Sequence, residues 1–329
     1  MSAEAAPAFR RATYNRRDAA RTGLLTGTWL YFGLLILLPI VWMLKEALAQ
    51  GLLSFLNQFR QPEVLHAFLM TAGLTFGAVV INTCFGVVVA YVLVRQRFWG
   101  KSLLNGLVDL PFALSPVIAG HMLILLFGPD GWLGPTVSRL GLKIVFSWPG
   151  MLLATLFVTL PFVIREVGPV LAEIGREMDD AAATLGAGRL YTFFVVSIPS
   201  IKWGLLYGMT LTIARAIGEF GAVLVVSGNI IGKTQTATLV IHQSMVDMQE
   251  NTAFAAAVVL ALVSFVVLLV SEVVRVRSQR AIEGGRPAGM PGGTEAPVAE
   301  YTRGDESRDV TWRSGVARVG VAGERGNDD

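Results

Sequence analysis

The chain has 329 residues, of which 53% are hydrophobic and 16% charged, against about 25% charged in an ordinary soluble domain. That composition excludes a conventional soluble globule. The formal net charge of +3 says little by itself, no nucleic-acid partner is expected, and a single cysteine, Cys84, excludes a disulfide framework.

In chain order, residues 1–21 read as a basic, mobile cytoplasmic arm. Six charge-poor runs follow, each near the roughly 20 apolar residues that a bilayer-spanning helix requires. Residues 22–44, 64–94, 144–164 and 251–271 carry no Asp, Glu, Lys or Arg; 102–129 carries Asp109, and 203–232 carries Arg215 and Glu219. Lipid offers the backbone no hydrogen-bond partners, so such runs must be helical. The fold class is therefore all-α and polytopic, with spans near 24–44, 66–94, 104–127, 145–164, 204–228 and 253–271. The first run is too long for the core of a cleaved signal peptide, and Lys45-Glu46 interrupts it before Ala47-Leu48-Ala49.

Span two is longer than the hydrocarbon slab, so it should tilt or project. Span three is expected to break at Pro111 and Pro116, because each ring removes a helical hydrogen bond; it is the one clearly broken span. Residues 128–135 form a turn-rich loop. Beyond Arg280 the chain turns Gly-, Glu-, Arg- and Pro-rich, and 281–329 reads as a disordered cytoplasmic tail.

Positive charge sets orientation. The arm, the loop between spans two and three, the loop 165–203 and the stretch after span six hold fifteen Lys and Arg. The opposite loops hold five: Lys45, Arg60, Arg139, Lys143 and Lys233. Both termini and the 165–203 loop are thereby expected in the cytoplasm.

That loop carries an amphipathic helix. Met178, Ala182 and Leu185 fall on one stripe, while Glu173, Glu177, Asp179 and Asp180 gather at its expected start, where the helix dipole favours negative charge. Gly186 suits the left-handed residue that stops a helix, and Pro199 marks a break before span five. The spacing alone also fits a helix lying on lipid headgroups.

Asp180-Ala181-Ala182, Gly186 and then Val196, Ile198 and Pro199 resemble the EAA loop of ABC importer permeases, with Asp in place of Glu and Ile in place of Leu. Four longer stretches (109–120, 126–135, 154–163 and 205–223) are similar to the CysW-type permeases of bacterial sulfate/thiosulfate importers, over about residues 24–275. The resemblance implies a type I ABC importer permease fold in the bacterial inner membrane. The chain would be a non-catalytic subunit that binds no cofactor itself. Its expected partners are two copies of an ATPase that uses ATP and Mg, a second related permease subunit, and an external sulfate/thiosulfate-binding protein, with sulfate as substrate. The seven motif residues would dock on the ATPase.

Arg215 and Glu219 lie four residues apart within span five. Each central charge costs about 2.5–3.5 kcal/mol on insertion scales. Two readings stand: a mutual ion pair, or a candidate translocation path in which Arg215 meets the passing oxyanion and Glu219 restrains it. Asp109 reads as a cap or interface partner, and His66 and His121 as packing groups without metal-ligand spacing. Ser227–Thr234 nearly spells a phosphate-cradling loop but lacks its first glycine and a parallel-strand context. A molybdate/tungstate permease is the nearer alternative, and a gradient-driven transporter or channel the more distant one.

Overall fold

A computed structural model describes the backbone of residues 6–175 and 177–284 and the side chains of 21–175 and 177–277. Among these every regular element is helical. Helix α1 (Ala6–Leu48) runs without interruption through the basic stretch into the first apolar run; the Ala- and Arg-rich residues before the run are good helix formers. The short α2 (Leu52–Gln58) follows. Helix α3 (Pro62–Arg95) has Pro62 at its first turn, Glu63 beside it and Arg95 in its last turn, an arrangement matched to the helix dipole. Its 34 residues, at about 1.5 Å each, exceed a hydrocarbon core of about 30 Å.

Helices α4 (Lys101–Ala113) and α5 (Pro116–Phe127) meet at a bend of 114°. Pro116 alone makes this break. Pro111 lies inside α4, whereas Ser115, immediately before Pro116, is extended at φ −62° and ψ 135°, as the residue before a proline must tend to be. A short α6 (Gly134–Arg139) precedes α7 (Trp148–Glu173), which absorbs Pro161 and Pro169. Among the described residues four helices, α1, α3, α7 and α14 (Glu250–Gly284), are long and apolar enough to cross a membrane, and there are up to six spans when each of two bent helix pairs counts as one.

The core is built on α3 and α7. Asn82 on α3 donates through Nδ2 to Thr159 Oγ1 at 2.8 Å and to the Leu156 carbonyl at 3.2 Å. A Cβ on Gly86 would lie 2.9 Å from Val163, so only glycine lets the two helices approach so closely; small residues are the usual device for this in membranes. One apolar cluster joins Leu74, Met151, Val158 and Val226, and a second, toward the other end of the same helices, joins Val87, Val163, Val167 and Ile201. The apolar window of α1 buries nothing within the chain, and α1 rests mainly on α14.

Candidate coupling and translocation sites

Helix α7 continues to Glu173, so that residue ends the helix of span four instead of opening the loop helix. Gly175, at φ +68°, turns the chain, and α8 (Glu177–Thr184) begins with Glu177, Asp179 and Asp180 in its first turn. The stop is at Gly186, with φ +83°. Its N–H donates to the Ala183 carbonyl and the Ala187 N–H donates to the Ala182 carbonyl, both at 3.0 Å. These two bonds are the Schellman pattern that satisfies the last carbonyls of a helix. The left-handed backbone is the reason a glycine stands there.

Helix α9 (Arg189–Thr192) leads into a π-helical turn, Phe193–Ser197, and a short α10 (Ile198–Ser200). Pro199 therefore lies within helical backbone. The widened turn just before it relieves the clash between the ring and an upstream carbonyl. The bend comes at Ile201, where the chain turns by 71° into α11 (Lys202–Ile217). Ala182, Gly186 and Val196 come together along a surface groove of about 610 Å³ with Leu185, Gly188 and Tyr191. Asp180, Ala181 and Pro199 are exposed and Ile198 is half-buried. Leu185, Leu190 and Phe194 are 89%, 76% and 62% exposed, an apolar surface beside charged residues.

Asp179 behaves differently from its neighbour. Its Oδ2 lies 3.2 Å from Arg95 Nε at the end of α3, and its Oδ1 accepts from Ser197 Oγ at 3.2 Å. The sequence groups Asp179 with the other acids of the first turn. Its link to Arg95 joins residues far apart in the chain and is invisible to spacing. The one hint is an arginine that closes an uncharged run.

Span five is also broken. Helix α11 ends at Ile217, and α12 (Gly221–Ser227) restarts after Phe220, which corrects the expectation that only span three is interrupted. Glu219 sits in the gap with its side chain 2% exposed, and its Oε2 faces Arg215 Nη1 at 2.7 Å. Oε1 accepts from the Ala222 N–H at 3.0 Å, so the carboxylate occupies one of the amide groups left open at the start of α12. The Glu219 carbonyl accepts from Thr238 Oγ1 at 2.8 Å. About a third of the Arg215 side chain is exposed. The mutual ion pair is thus a feature of the fold, and part of Arg215 still faces outward.

Asp109 forms a two-point contact with Arg165 on α7, at 2.7 and 2.5 Å, and the same guanidinium donates to Asn105 Oδ1 and the Asn105 carbonyl. It is an interface partner that ties α4 to α7. His121 Nδ1 lies 2.9 Å from the Val117 carbonyl. The Ser227–Thr234 loop closes on itself: Thr234 Oγ1 donates to the Ser227 carbonyl and accepts the Ile230 N–H, so that amide is not left to cradle a phosphate. The stretch between the expected spans of 204–228 and 253–271 includes α13 (Ala237–Val246), and α14 (Glu250–Gly284) completes the bundle. Among the described residues no three His, Cys, Asp or Glu side chains gather as a metal site.

Residues 82–281 match the family model of the binding-protein-dependent transport system inner membrane component. The chain belongs to that family. Among its relatives is the sulfate transport system permease protein CysW of Synechococcus elongatus, 45% identical over 251 residues, which cover 76% of this chain and 88% of that one. The protein of the same name from Escherichia coli K12 is 41% identical over 258 residues, 76% and 89% of the two chains. The E. coli permease CysT is 35% identical over 274 residues, 83% and 99%. A chain of a bacterial alginate ABC transporter superposes with a TM-score of 0.65 at 16% identity, covering 78% of this permease and 93% of that chain; this likeness concerns fold alone. The chain is an integral, multi-pass transport permease.

Proposed function

We propose that this permease forms part of an ATP-driven importer that carries sulfate, and thiosulfate with it, into a bacterial cytoplasm across the inner membrane. The observation that carries the reading is identity of 45% to a sulfate permease along 76% of the chain, coinciding with an exposed, capped α8 of the EAA pattern. A dianion entering hydrocarbon meets a desolvation cost of tens of kcal/mol, so it needs a protein-lined path and an external energy source. Two copies of a separate ATPase supply that energy, with ATP and Mg held on the ATPase. A second related permease and an external sulfate-binding protein complete the assembly. Both termini and α8 lie on the cytoplasmic side.

In this mechanism Asp180, Ala181, Ala182, Gly186, Val196, Ile198 and Pro199 form the docking surface. The small alanines admit a close-fitting partner, and Gly186 fixes where the helix ends. Arg215, held by Glu219, presents its outward part to the anion at the break between α11 and α12.

The test is uptake of radiolabelled sulfate by cells lacking their own sulfate permeases, complemented with this chain and its co-encoded subunits. Uptake that is competed by thiosulfate and abolished when the ATPase is inactivated supports the proposal. Competition by molybdate at equal concentration would reassign the substrate, and uptake that persists without the ATPase would overturn the ATP-driven reading.

A further inference from the structure

We propose that Asp179 is the positioning residue that clasps α8 to spans two and five together, so that a push on α8 moves both; this rests on the reading that α8 meets an ATPase. Helix α8 has eight residues and none of them is buried. It is flanked by two glycines with positive φ, Gly175 at +68° and Gly186 at +83°, the residue type whose backbone is least restrained. No fully buried side chain of its own therefore fixes its orientation against the bundle.

The Asp179 carboxylate supplies that anchor. One oxygen pairs with Arg95 at the last turn of α3, and the other accepts from Ser197 on the π turn that feeds α11. The Asp179 and Arg95 side chains are 18% and 9% exposed, so the pair is largely withdrawn from the solvent that weakens surface ion pairs. Ser197 is buried. A further side-chain link, from Ser200 Oγ to the Met178 sulfur at 3.8 Å, involves a weak acceptor. Below the clasp, α3, α7 and the bend that leads into α11 share one apolar cluster through Val87, Val163 and Ile201. A rotation of α8 that keeps the clasp intact must carry the ends of α3 and α11 with it. The adjacent acids thus divide the work: exposed Asp180 faces the motor, and inward Asp179 transmits its motion.

The experiment uses the complete importer in proteoliposomes, with ATPase copurification, ATP hydrolysis and sulfate uptake read on the same preparation. Asp179→Asn is expected to retain the ATPase while sulfate carried per ATP hydrolysed falls at least about fivefold, the low end of typical site-to-site coupling. Ser197→Ala should give a smaller drop of the same sign. The charge exchange Arg95→Asp with Asp179→Arg should recover transport relative to Asp179→Arg alone, which a loss of folding would not allow. An unchanged ratio in Asp179→Asn, or an exchange no better than the single reversal, overturns the proposal. Loss of the ATPase from Asp179→Asn also overturns it, because the carboxylate would then be a docking contact. Absence of ATPase from the native complex refutes instead the reading of α8 as a docking helix, and shows before any variant is compared.

Discussion

Removing either member of the Arg215–Glu219 pair should have unequal consequences, because the two side chains are buried unequally. Glu219 is 2% exposed and Arg215 32%. Arg215→Gln leaves a buried carboxylate facing only the Ala222 N–H, and an uncompensated buried charge costs about 3–5 kcal/mol. Glu219→Gln can keep an oxygen on the Ala222 N–H, while the partly exposed arginine can swing outward; the penalty is then that of an imperfectly satisfied polar group, about 1–3 kcal/mol. In the double variant the buried charge is gone, so its cost should fall short of the sum by roughly 0.5–3 kcal/mol. At about 2–4 °C per kcal/mol, Arg215→Gln should melt about 6 °C or more below the native protein. Thermal unfolding of the detergent-solubilised permease, followed by intrinsic tryptophan fluorescence, measures all four corners of the cycle. Glu219→Gln proving as damaging as Arg215→Gln, or a double variant that is simply additive, would refute the assignment of Glu219 as the buried partner.

Other substitutions test packing and docking separately. A Cβ at Gly208 would stand 3.0 Å from Val163 Cα, while among the described residues nothing beyond the local helix lies within 4 Å of one at Gly106; Gly208→Val should therefore cost about 1–3 kcal/mol from overpacking, and Gly106→Val should melt several degrees closer to the native protein. Asn82→Ala removes the hydrogen bonds between α3 and α7 and should lower stability in mixed micelles by about 0.6–1.7 kcal/mol, the range of measured interhelical bonds in membranes. Leu185→Glu, at a position 89% exposed, should change stability by less than about 0.5 kcal/mol yet reduce the ATPase that copurifies; undiminished copurification would remove Leu185 from the docking surface. Gly186→Ala imposes strain of about 1 kcal/mol at φ +83° and should lower uptake without unfolding the bundle, as size-exclusion profiles would show.

Much of the molecule was legible because lipid imposes a single rule: a backbone without water must bond to itself, so long uncharged runs such as those of α3 and α14 could only be helices. Gly186 was legible for a similar reason, since a left-handed helix stop admits few other residues. Prolines were less so. Pro111, Pro161, Pro169 and Pro199 all lie within helical backbone, and of the two in span three only Pro116 makes a break. A ring removes one hydrogen bond, and neighbouring packing decides whether the helix absorbs that loss. The gap around Glu219 had no proline to announce it.

The run of acids at the start of α8 shows the limit most clearly. The sequence placed Glu173, Glu177, Asp179 and Asp180 together at the start of the helix; the last three stand in its first turn, while Glu173 ends α7. Which of them faces water and which closes on Arg95 depends on where α3 ends in space. The sequence by itself determined the long apolar helices and which charges they carry, because these follow from local hydrogen bonding and hydropathy. Only the tertiary structure decided the pairs Asp179–Arg95 and Asp109–Arg165, because a charge finds its partner through the packing of distant helices and not through spacing along one of them.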